Sequence, residues 1–213
     1  MRAWEWFAAN TDLVMERLLE HVGLTGAAVG AGIAIALPLA ILAHRRPRLA
    51  GPILWTTGIL YTIPSLAALA LLLPLLGLSA ANAIVVLTTY TLLILVRNTV
   101  TGLREVPADV RDAARAAGHT PRQLLWRVEL PLALPAIVAG IRIATVTTIG
   151  LVTVTALIGK GGLGYLMLAG FRPLLPEAAI VVGIVLSVGL ALTADLLLVG
   201  LQRALGPWAG RRR

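Results

Sequence analysis

The sequence predicts an all-α integral membrane protein with five transmembrane helices. The chain is 58% apolar and only 13% charged, whereas soluble domains carry about a quarter charged residues. Its mean hydropathy is +0.89. Between Arg48 and Arg97 there is no charged residue and no histidine. That interval is too long for one buried helix, because about 20 apolar residues already cross a hydrocarbon core of ~30 Å.

Five apolar stretches have the length of membrane spans. The uncharged interval divides at Leu76–Asn82, where Gly77, Ser79 and Asn82 favour a tight turn. The predicted spans are residues 22–43, 52–76, 80–97, 131–158 and 178–201. Residues 1–213 are therefore expected to form a single transmembrane domain, with residues 98–130 as its largest loop.

Residues 1–20 precede the first span and carry aromatic and apolar side chains, several of them at helical spacing. These are Trp4, Trp6, Phe7, Leu13, Val14, Leu18 and Leu19. Two interpretations fit, an external interfacial helix or a frayed tail. No basic segment is followed directly by an apolar core, so no cleavable signal is expected.

The distribution of basic residues predicts the orientation of the spans. Thirteen of the 18 basic residues lie in alternate connections, on one side of the membrane. They are Arg45, Arg46, Arg48, Arg97, Arg104, Arg111, Arg115, Arg122, Arg127, Arg203 and Arg211–Arg213. Because cytoplasmic loops carry the excess of basic residues, the N-terminus is predicted outside and the C-terminus in the cytoplasm. Topology thus accounts for the net charge of +8, and no nucleic-acid partner is expected.

Residue content argues against several kinds of site. Without cysteine, the chain has no disulfide and no thiolate metal ligand. His21, His44 and His119 are isolated, so no metal site is expected. Gly159–Gly164 matches G-x-G-x-x-G but follows a span rather than a strand, and no Ser or Thr follows Lys160. We therefore expect no bound cofactor, and we interpret these glycines as a flexible outer loop that meets another protein, or as a plain turn.

The loop at residues 98–130 is basic and rich in alanine, and it predicts two short helices. Pro107 and Asp109 favour the start of the first helix, Gly118 its end, and Thr120 the cap of the second. Small apolar residues recur along the first helix, namely Val110, Ala113, Ala114 and Ala117. The second helix is expected to lie on the membrane until Pro131 turns the chain into the fourth span. The first helix suits either docking in a groove of another protein or an ordinary interfacial connector.

The spacing within this loop resembles the permease subunits of ABC importers. Those proteins share Glu-Ala-Ala, three residues, Gly, nine residues, and then Ile-x-Leu-Pro. This chain has Asp112-Ala113-Ala114, three residues, Gly118, nine residues, and then Val128-Glu129-Leu130-Pro131. Both gaps match, and the two departures, Asp for Glu and Val for Ile, are mild.

Four further segments are similar to one branch of that family, the importers of glycine betaine, choline and carnitine. They are Thr62–Ala67, Val96–Val106, Glu129–Arg142 and Ile158–Gly164. The resemblance implies an ABC importer permease fold of the methionine-importer kind, working as a dimer with a second copy or a sister permease. It also implies a separate cytoplasmic ATP-binding subunit and an external substrate-binding protein, so this chain itself is not expected to be an enzyme.

The resemblance assigns a role to the loop, which we call the coupling loop (residues 98–130). The residues expected to couple to the ATPase are Asp112, Ala113, Ala114, Gly118, Val128, Leu130 and Pro131. The alternative within this class is the permease of a methionine or other amino-acid importer. Outside the class, the spans alone would also suit a self-sufficient small transporter.

Polar residues within the spans are candidates for a translocation pathway. Tyr61, Thr62 and Ser65 flank Pro64, which is expected to bend the second span. In the fourth span, three threonines share one face, namely Thr145, Thr148 and Thr155. Two interpretations fit both groups, because threonines also bond to carbonyls of their own helix and bends also pack against neighbouring helices.

Two charges lie within the spans, Arg142 and Asp195. A lone charge deep in hydrocarbon costs about 3 kcal/mol on insertion scales, so such residues pair or face water. Both residues lie roughly 10–12 Å above the inner boundary at ~1.5 Å per residue. Equal depth on consecutive spans favours an ion pair. The alternative is that Asp195 faces the pathway of a quaternary ammonium ligand.

Overall fold

The computed structural model describes residues 2–171 and 176–205, whose regular structure is helical throughout. The helices are α1 (Ala3–Ala9), α2 (Thr11–Arg45), α3 (Pro47–Thr62), α4 (Ser65–Leu76), α5 (Ala80–Arg104), α6 (Ala108–Ala116), α7 (Pro121–Leu124), α8 (Leu130–Val152), α9 (Gly164–Phe171) and α10 (Glu177–Leu205). A π-helical turn (Leu125–Glu129) precedes α8, and a 3-10 segment (Thr153–Ile158) follows it. Arg211–Arg213, which belong to the basic residues that predict the orientation, lie outside the described residues.

Within the described residues, four helical segments are long and apolar enough to cross a membrane, which confirms the all-α membrane fold. They are Thr11–Arg45, Ala80–Arg104, Pro121–Ile158 and Glu177–Ala204. A fifth crossing results if α3 and α4 are counted as one span.

The structure breaks the predicted span 52–76 into α3 and α4, whose axes differ by 93°. Ile63 ends α3 in an extended conformation, with φ −65° and ψ 126°. A proline disfavours the α conformation in the residue before it, and Pro64 follows Ile63 directly. Pro64 therefore ends one helix and caps the next, where the sequence predicted only a bend.

Residues 1–20 are divided between two elements. In α1, Trp6 is 2% exposed and packs with Leu163 and Leu166 of the segment around α9, while Trp4 faces outward. Residues 11–20 belong to α2, whose 35 residues make it about 52 Å long, well beyond a hydrocarbon core of ~30 Å. Residues 11–20 therefore continue the helix of the first span, and the interfacial location stays a prediction for α1 alone.

Glycines let the helices of the bundle approach closely. α5 packs against both α2 and α8. A Cβ atom on Gly102 of α5 would lie 2.6 Å from the Cβ of Ala136, and one on Gly140 of α8 would lie 2.6 Å from the Cβ of Asn98. Membrane helices depend on such contacts, because lipid tails are as apolar as the helix surfaces and give no hydrophobic drive to associate.

The chain does not turn at Pro131, which corrects the prediction. Residues 121–158 form one continuous helical segment, with the amide of Leu130 bonded to the carbonyl of Leu125 five residues earlier. In an α-helix the proline ring would clash with the carbonyl four residues before it, and the wider π turn accommodates this. Leu124 and Leu125 are accordingly buried in the bundle instead of lying on the membrane.

Candidate functional site

The first part of the coupling loop presents a small-residue surface. None of the residues of α6 is buried. The exposed ones, with the glycine that follows, are Ala108, Asp109, Asp112, Ala113, Arg115, Ala116 and Gly118. The two alanines of the motif differ in exposure, because Ala113 is exposed whereas Ala114 is half-buried. Apart from Arg115, the exposed side chains are short, so another protein can approach the backbone of α6 closely at the alanines and Gly118.

Gly118 ends α6 in a conformation that favours glycine. Its φ is +84°, and a Cβ atom placed on it would meet nothing within 4 Å. Its amide donates to the carbonyl of Arg115 at 2.9 Å, and the amide of His119 donates to that of Ala114 at 3.2 Å. This is the Schellman pattern, which satisfies the last carbonyls of a helix. Gly118 therefore has the C′ position that the sequence predicted.

The second part of the coupling loop is anchored in the bundle. Thr120 caps α7 as predicted, with a reciprocal pair of hydrogen bonds to Gln123 of 2.8 and 3.3 Å. Leu125 then packs with Leu103 of α5 and Ala133 of α8. The coupling loop thus joins an exposed helix to a segment that is continuous with a span.

Sequence analysis did not predict the contact between His44 and Glu129. The His44 Nε2 atom lies 3.4 Å from Glu129 Oε2, and the two side chains are 12% and 8% exposed. Beside them, Arg45 donates to the carbonyl of Pro121 at 3.4 Å. In the sequence, His44 lies at the end of the first span and Glu129 lies within the loop motif. Nothing in the sequence relates the two residues, and only the structure brings them into contact.

The last three residues of the motif occupy a different position from α6. Val128 lies in the π turn, and Leu130 and Pro131 begin α8. All three are half-buried. The structure therefore separates the residues predicted to couple into an exposed group around α6 and a packed group at the start of α8.

Arg142 of α8 and Asp195 of α10 form a two-pronged ion pair. Arg142 Nε donates to Asp195 Oδ1 at 3.0 Å, and Nη2 donates to Oδ2 at 3.1 Å. Gln202, which sequence analysis missed, accepts a bond from Arg142 Nη1 at 3.1 Å and donates one to the carbonyl of Pro135 at 3.1 Å. Its signal in the sequence was a lone amide seven residues after Asp195, on the same helix face.

The ion pair lies at the edge of an open groove between α8 and α10. The groove encloses about 620 Å³, and its other walls are mostly apolar, for instance Ile143, Val188 and Leu192. The two charged side chains remain partly exposed, at 28% and 34%. The pair thus links two spans and also faces the space between them.

The bend between α3 and α4 exposes the predicted polar group to different degrees. Tyr61, Thr62 and Pro64 are exposed, and Ser65 is half-buried. Tyr90 of α5, which sequence analysis missed, donates its hydroxyl hydrogen to the carbonyl of Ile63. Its ring meets that of Tyr61 edge to face, with centroids 5.7 Å apart. The bond from Tyr90 satisfies a carbonyl that the helix end leaves without an intrahelical partner.

The three threonines of the fourth span do not share an open surface. Thr148 and Thr155 are buried, and Thr145 is half-buried. Each hydroxyl donates to a carbonyl of its own helical segment, at 2.8 Å for Thr145, 2.7 Å for Thr148 and 2.7 Å for Thr155. Burial and back-bonding favour packing over pathway lining for Thr148 and Thr155.

The glycine segment is packed over residues 161–164, which corrects the flexible-loop interpretation for that part. Gly161 to Gly164 are buried, and the segment lies against His21 of α2. His21 Nε2 lies 3.0 Å from the carbonyl of Ile149, and its Nδ1 accepts from the amide of Leu163 at 3.3 Å. One buried side chain thus ties α2, α8 and this segment together.

We expect Gly162→Ala to lower the thermal unfolding midpoint of the purified protein. Gly162 has φ +50°, and a Cβ atom there would lie 2.6 Å from the Cβ of His21. The left-handed conformation costs an alanine about 1–2 kcal/mol, and overpacking adds about 1–3 kcal/mol. Gly159→Ala is the matched control, because Gly159 has φ +77° but open space around it. Equal shifts in the two variants would contradict the contact with His21.

Comparison with known proteins places these features in context. Residues 28–209 match the family described as the binding-protein-dependent transport system inner membrane component. The carnitine transport permease protein OpuCD of Listeria monocytogenes is 35% identical over 98% of this chain and 94% of its own. The choline transport system permease protein OpuBB of Bacillus subtilis is 38% identical over 98% and 95%. The osmoprotectant import permease protein OsmW of Salmonella typhimurium is 38% identical over 93% and 94%.

Solved structures show the same fold. A chain of the MetNI methionine ABC transporter, in an inward-facing conformation, superimposes with a TM-score of 0.81 at 26% identity, covering 92% of this chain and 97% of its own. A second crystal form of that transporter gives a TM-score of 0.84 at 25% identity. The fold prediction made from the sequence is confirmed by these matches.

Proposed function

Because this chain belongs to the family of binding-protein-dependent transport inner membrane components, we propose that it is the membrane permease of an ATP-driven osmoprotectant importer. Its substrates are glycine betaine, choline, carnitine or a related compound. The observation that carries the proposal is similarity to permeases of such compounds over nearly the whole chain. The chain moves its substrate across the membrane, and ATP hydrolysis takes place on another polypeptide.

The coupling loop supports an ATP-binding partner. α6 has no buried residue, most of its outward side chains are alanine or aspartate, and a glycine of positive φ follows its end. Such a helix can enter a groove of a second protein. Leu125, on the other side of the loop, is buried among residues of α5 and α8. The loop is thus built to receive a partner on one side and to move the spans on the other.

The amino-acid importer alternative is weaker. The methionine transporter shares the fold at 25–26% identity, whereas the permeases named for carnitine and choline are 35–38% identical. Identity therefore favours a small quaternary ammonium compound over methionine. Tyr61, exposed at the bend, adds an aromatic face of the kind that attracts such cations.

The remaining partners and the orientation are also proposals. The arginine distribution supports an external N-terminus and a cytoplasmic C-terminus in the cell membrane. An external substrate-binding protein delivers the ligand, a second copy or a sister permease completes the pathway, and this chain binds no cofactor. The pathway passes the bend at Tyr61, Thr62, Pro64 and Ser65, with Thr145 as a further candidate, while Thr148 and Thr155 serve packing.

We expect uptake by the reconstituted permease to require ATP and a separate nucleotide-binding polypeptide. Proteoliposomes that hold the permease with the ATPase and binding protein encoded beside it should accumulate labelled glycine betaine, choline or carnitine. Omitting the ATPase, or replacing ATP by a non-hydrolysable analogue, should abolish accumulation. Accumulation without either would indicate a self-sufficient transporter. ATP-dependent uptake of methionine alone would establish the amino-acid alternative.

A further inference from the structure

An apolar groove opens beside the π turn, where α2 ends. It encloses about 510 Å³ and is lined by Leu37, Pro38, Ile41, Leu42 and Leu130. This volume lies within the range of small-molecule sites, about 300–1,000 Å³. The walls are supplied by the last turns of α2 and the first residue of α8, which are the ends of two spans. In the orientation proposed above, the groove lies at the level of the inner leaflet.

Two amphipathic side chains complete the lining at the end nearest the cytoplasm. Trp126 of the π turn is 58% exposed, and Arg45, the last residue of α2, is also exposed. Tryptophan is enriched at the headgroup level of membranes, where its ring is apolar and its N–H is polar. The bond from Arg45 to the carbonyl of Pro121 uses one of the five N–H donors of the guanidinium.

We propose that this groove binds one anionic phospholipid of the inner leaflet. An acyl chain lies along the leucine and isoleucine side chains, Trp126 lies at the level of the glycerol, and Arg45 binds the phosphate. The proposal rests on the orientation given under the proposed function. It extends that function, because it assigns the base of the coupling loop a lipid ligand.

Charge complementarity favours a lipid over a second copy of the chain. Arg45 lines the groove at its cytoplasmic end and is exposed, so that part of the rim is basic. A second copy docking there through its own basic loops would bring like charges together, which is costly. The inner leaflet is anionic, and basic sites between spans on that side bind anionic headgroups. An anionic amphiphile therefore matches both the apolar wall and the basic rim.

The test is lipid retention by the purified full-length protein in native mass spectrometry. Phosphatidylglycerol and phosphatidylcholine with identical acyl chains are added in equal amounts. We expect the wild type to retain one phosphatidylglycerol per chain in preference to phosphatidylcholine. Arg45→Gln should lose about fivefold of that preference, which corresponds to about 1 kcal/mol for one arginine near the headgroups. Arg48→Gln is the matched control, because Arg48 is an exposed arginine in the first turn of α3 that lines a different cavity.

If Arg45→Gln and Arg48→Gln lose the preference for phosphatidylglycerol equally, the preference comes from the overall positive charge and the proposed site is wrong. An unchanged preference in Arg45→Gln would also overturn the site. A second readout does not depend on the arginine variants. Brominated phosphatidylglycerol should quench wild-type fluorescence more than brominated phosphatidylcholine does, and Trp126→Phe should abolish that difference. Quenching that is equal for the two lipids, or unchanged in Trp126→Phe, would overturn the proposal.

The orientation of the chain is measured in a separate experiment, so that a wrong orientation can be distinguished from the absence of a lipid site. The chain has no cysteine, so Arg48→Cys places a single thiol three residues after Arg45, in the connection from α2 to α3. An impermeant thiol reagent should label it in inside-out vesicles and leave it unlabelled in right-side-out vesicles. The reverse pattern would place the groove in the outer leaflet and overturn the inner-leaflet assignment. Lipid retention needs no transport, so it is measurable whatever substrate the importer carries.

Discussion

Exchanging the two intramembrane charges, Arg142→Asp together with Asp195→Arg, is expected to restore the assembly that either single charge reversal loses. Each reversal leaves two like charges facing each other in place of a pair with bonds of 3.0 and 3.1 Å. An unpaired charge within a span costs about 3 kcal/mol on insertion scales. Each single variant should therefore appear at low level in membranes, and the double variant should approach the wild-type level.

Neutral variants separate pairing from transport. Arg142→Leu with Asp195→Leu should also assemble, because apolar residues of similar size often replace an ion pair without loss of stability. Gln202→Ala should weaken assembly less than the charge reversals do, since it leaves the ion pair in place and removes one bond to Arg142 and one to a backbone carbonyl. If both single reversals assemble normally while Asp195→Asn alone abolishes uptake, Asp195 belongs to the pathway and the ion pair is not its role.

Replacing Gly118 by a bulky residue is expected to abolish ATP-driven uptake while membrane insertion remains normal. Gly118 is exposed and has φ +84°, and nothing within the chain lies within 4 Å of a Cβ placed there. A valine would therefore meet no internal neighbour, but it would strain the end of α6 by about 1–2 kcal/mol and project into the space of a docked partner. Uptake and co-purification of the ATP-binding subunit are the two measurements.

Two control variants distinguish strain from exclusion of the partner. Gly118→Asn keeps the conformation accessible, because asparagine tolerates the left-handed region, but adds a side chain. Gly159→Val introduces the same backbone strain at a different position, because Gly159 is also exposed, has φ +77° and has open space around it. We expect Gly118→Asn to reduce ATPase co-purification and Gly159→Val to leave it unchanged. Normal uptake by Gly118→Val would show that the partner docks elsewhere.

The sequence by itself determined the class of the protein, the location of its apolar segments and the ends of its loop helices. Hydropathy is a local property, so the absence of charge between Arg48 and Arg97 predicted membrane helices without knowledge of their neighbours. Helix ends are also local. Gly118 and Thr120 satisfy backbone groups within a few residues, so their roles could be predicted and were confirmed. Arg142 and Asp195 were predicted to form an ion pair because they lie at equal depth in consecutive spans, and the structure confirms the pair.

Tertiary structure alone decided which residues face a neighbour. His44 and Glu129 are 85 positions apart, and their contact of 3.4 Å depends on where two spans end relative to each other. The same holds for Tyr90 with Ile63 and for His21 with Leu163. The glycines at 161–164 looked flexible because glycine is permissive, yet packing against His21 and Ala156 requires them to be small. Periodicity identifies a face of a helix, but the partner of that face is set by the packing of the whole bundle, which no local pattern contains.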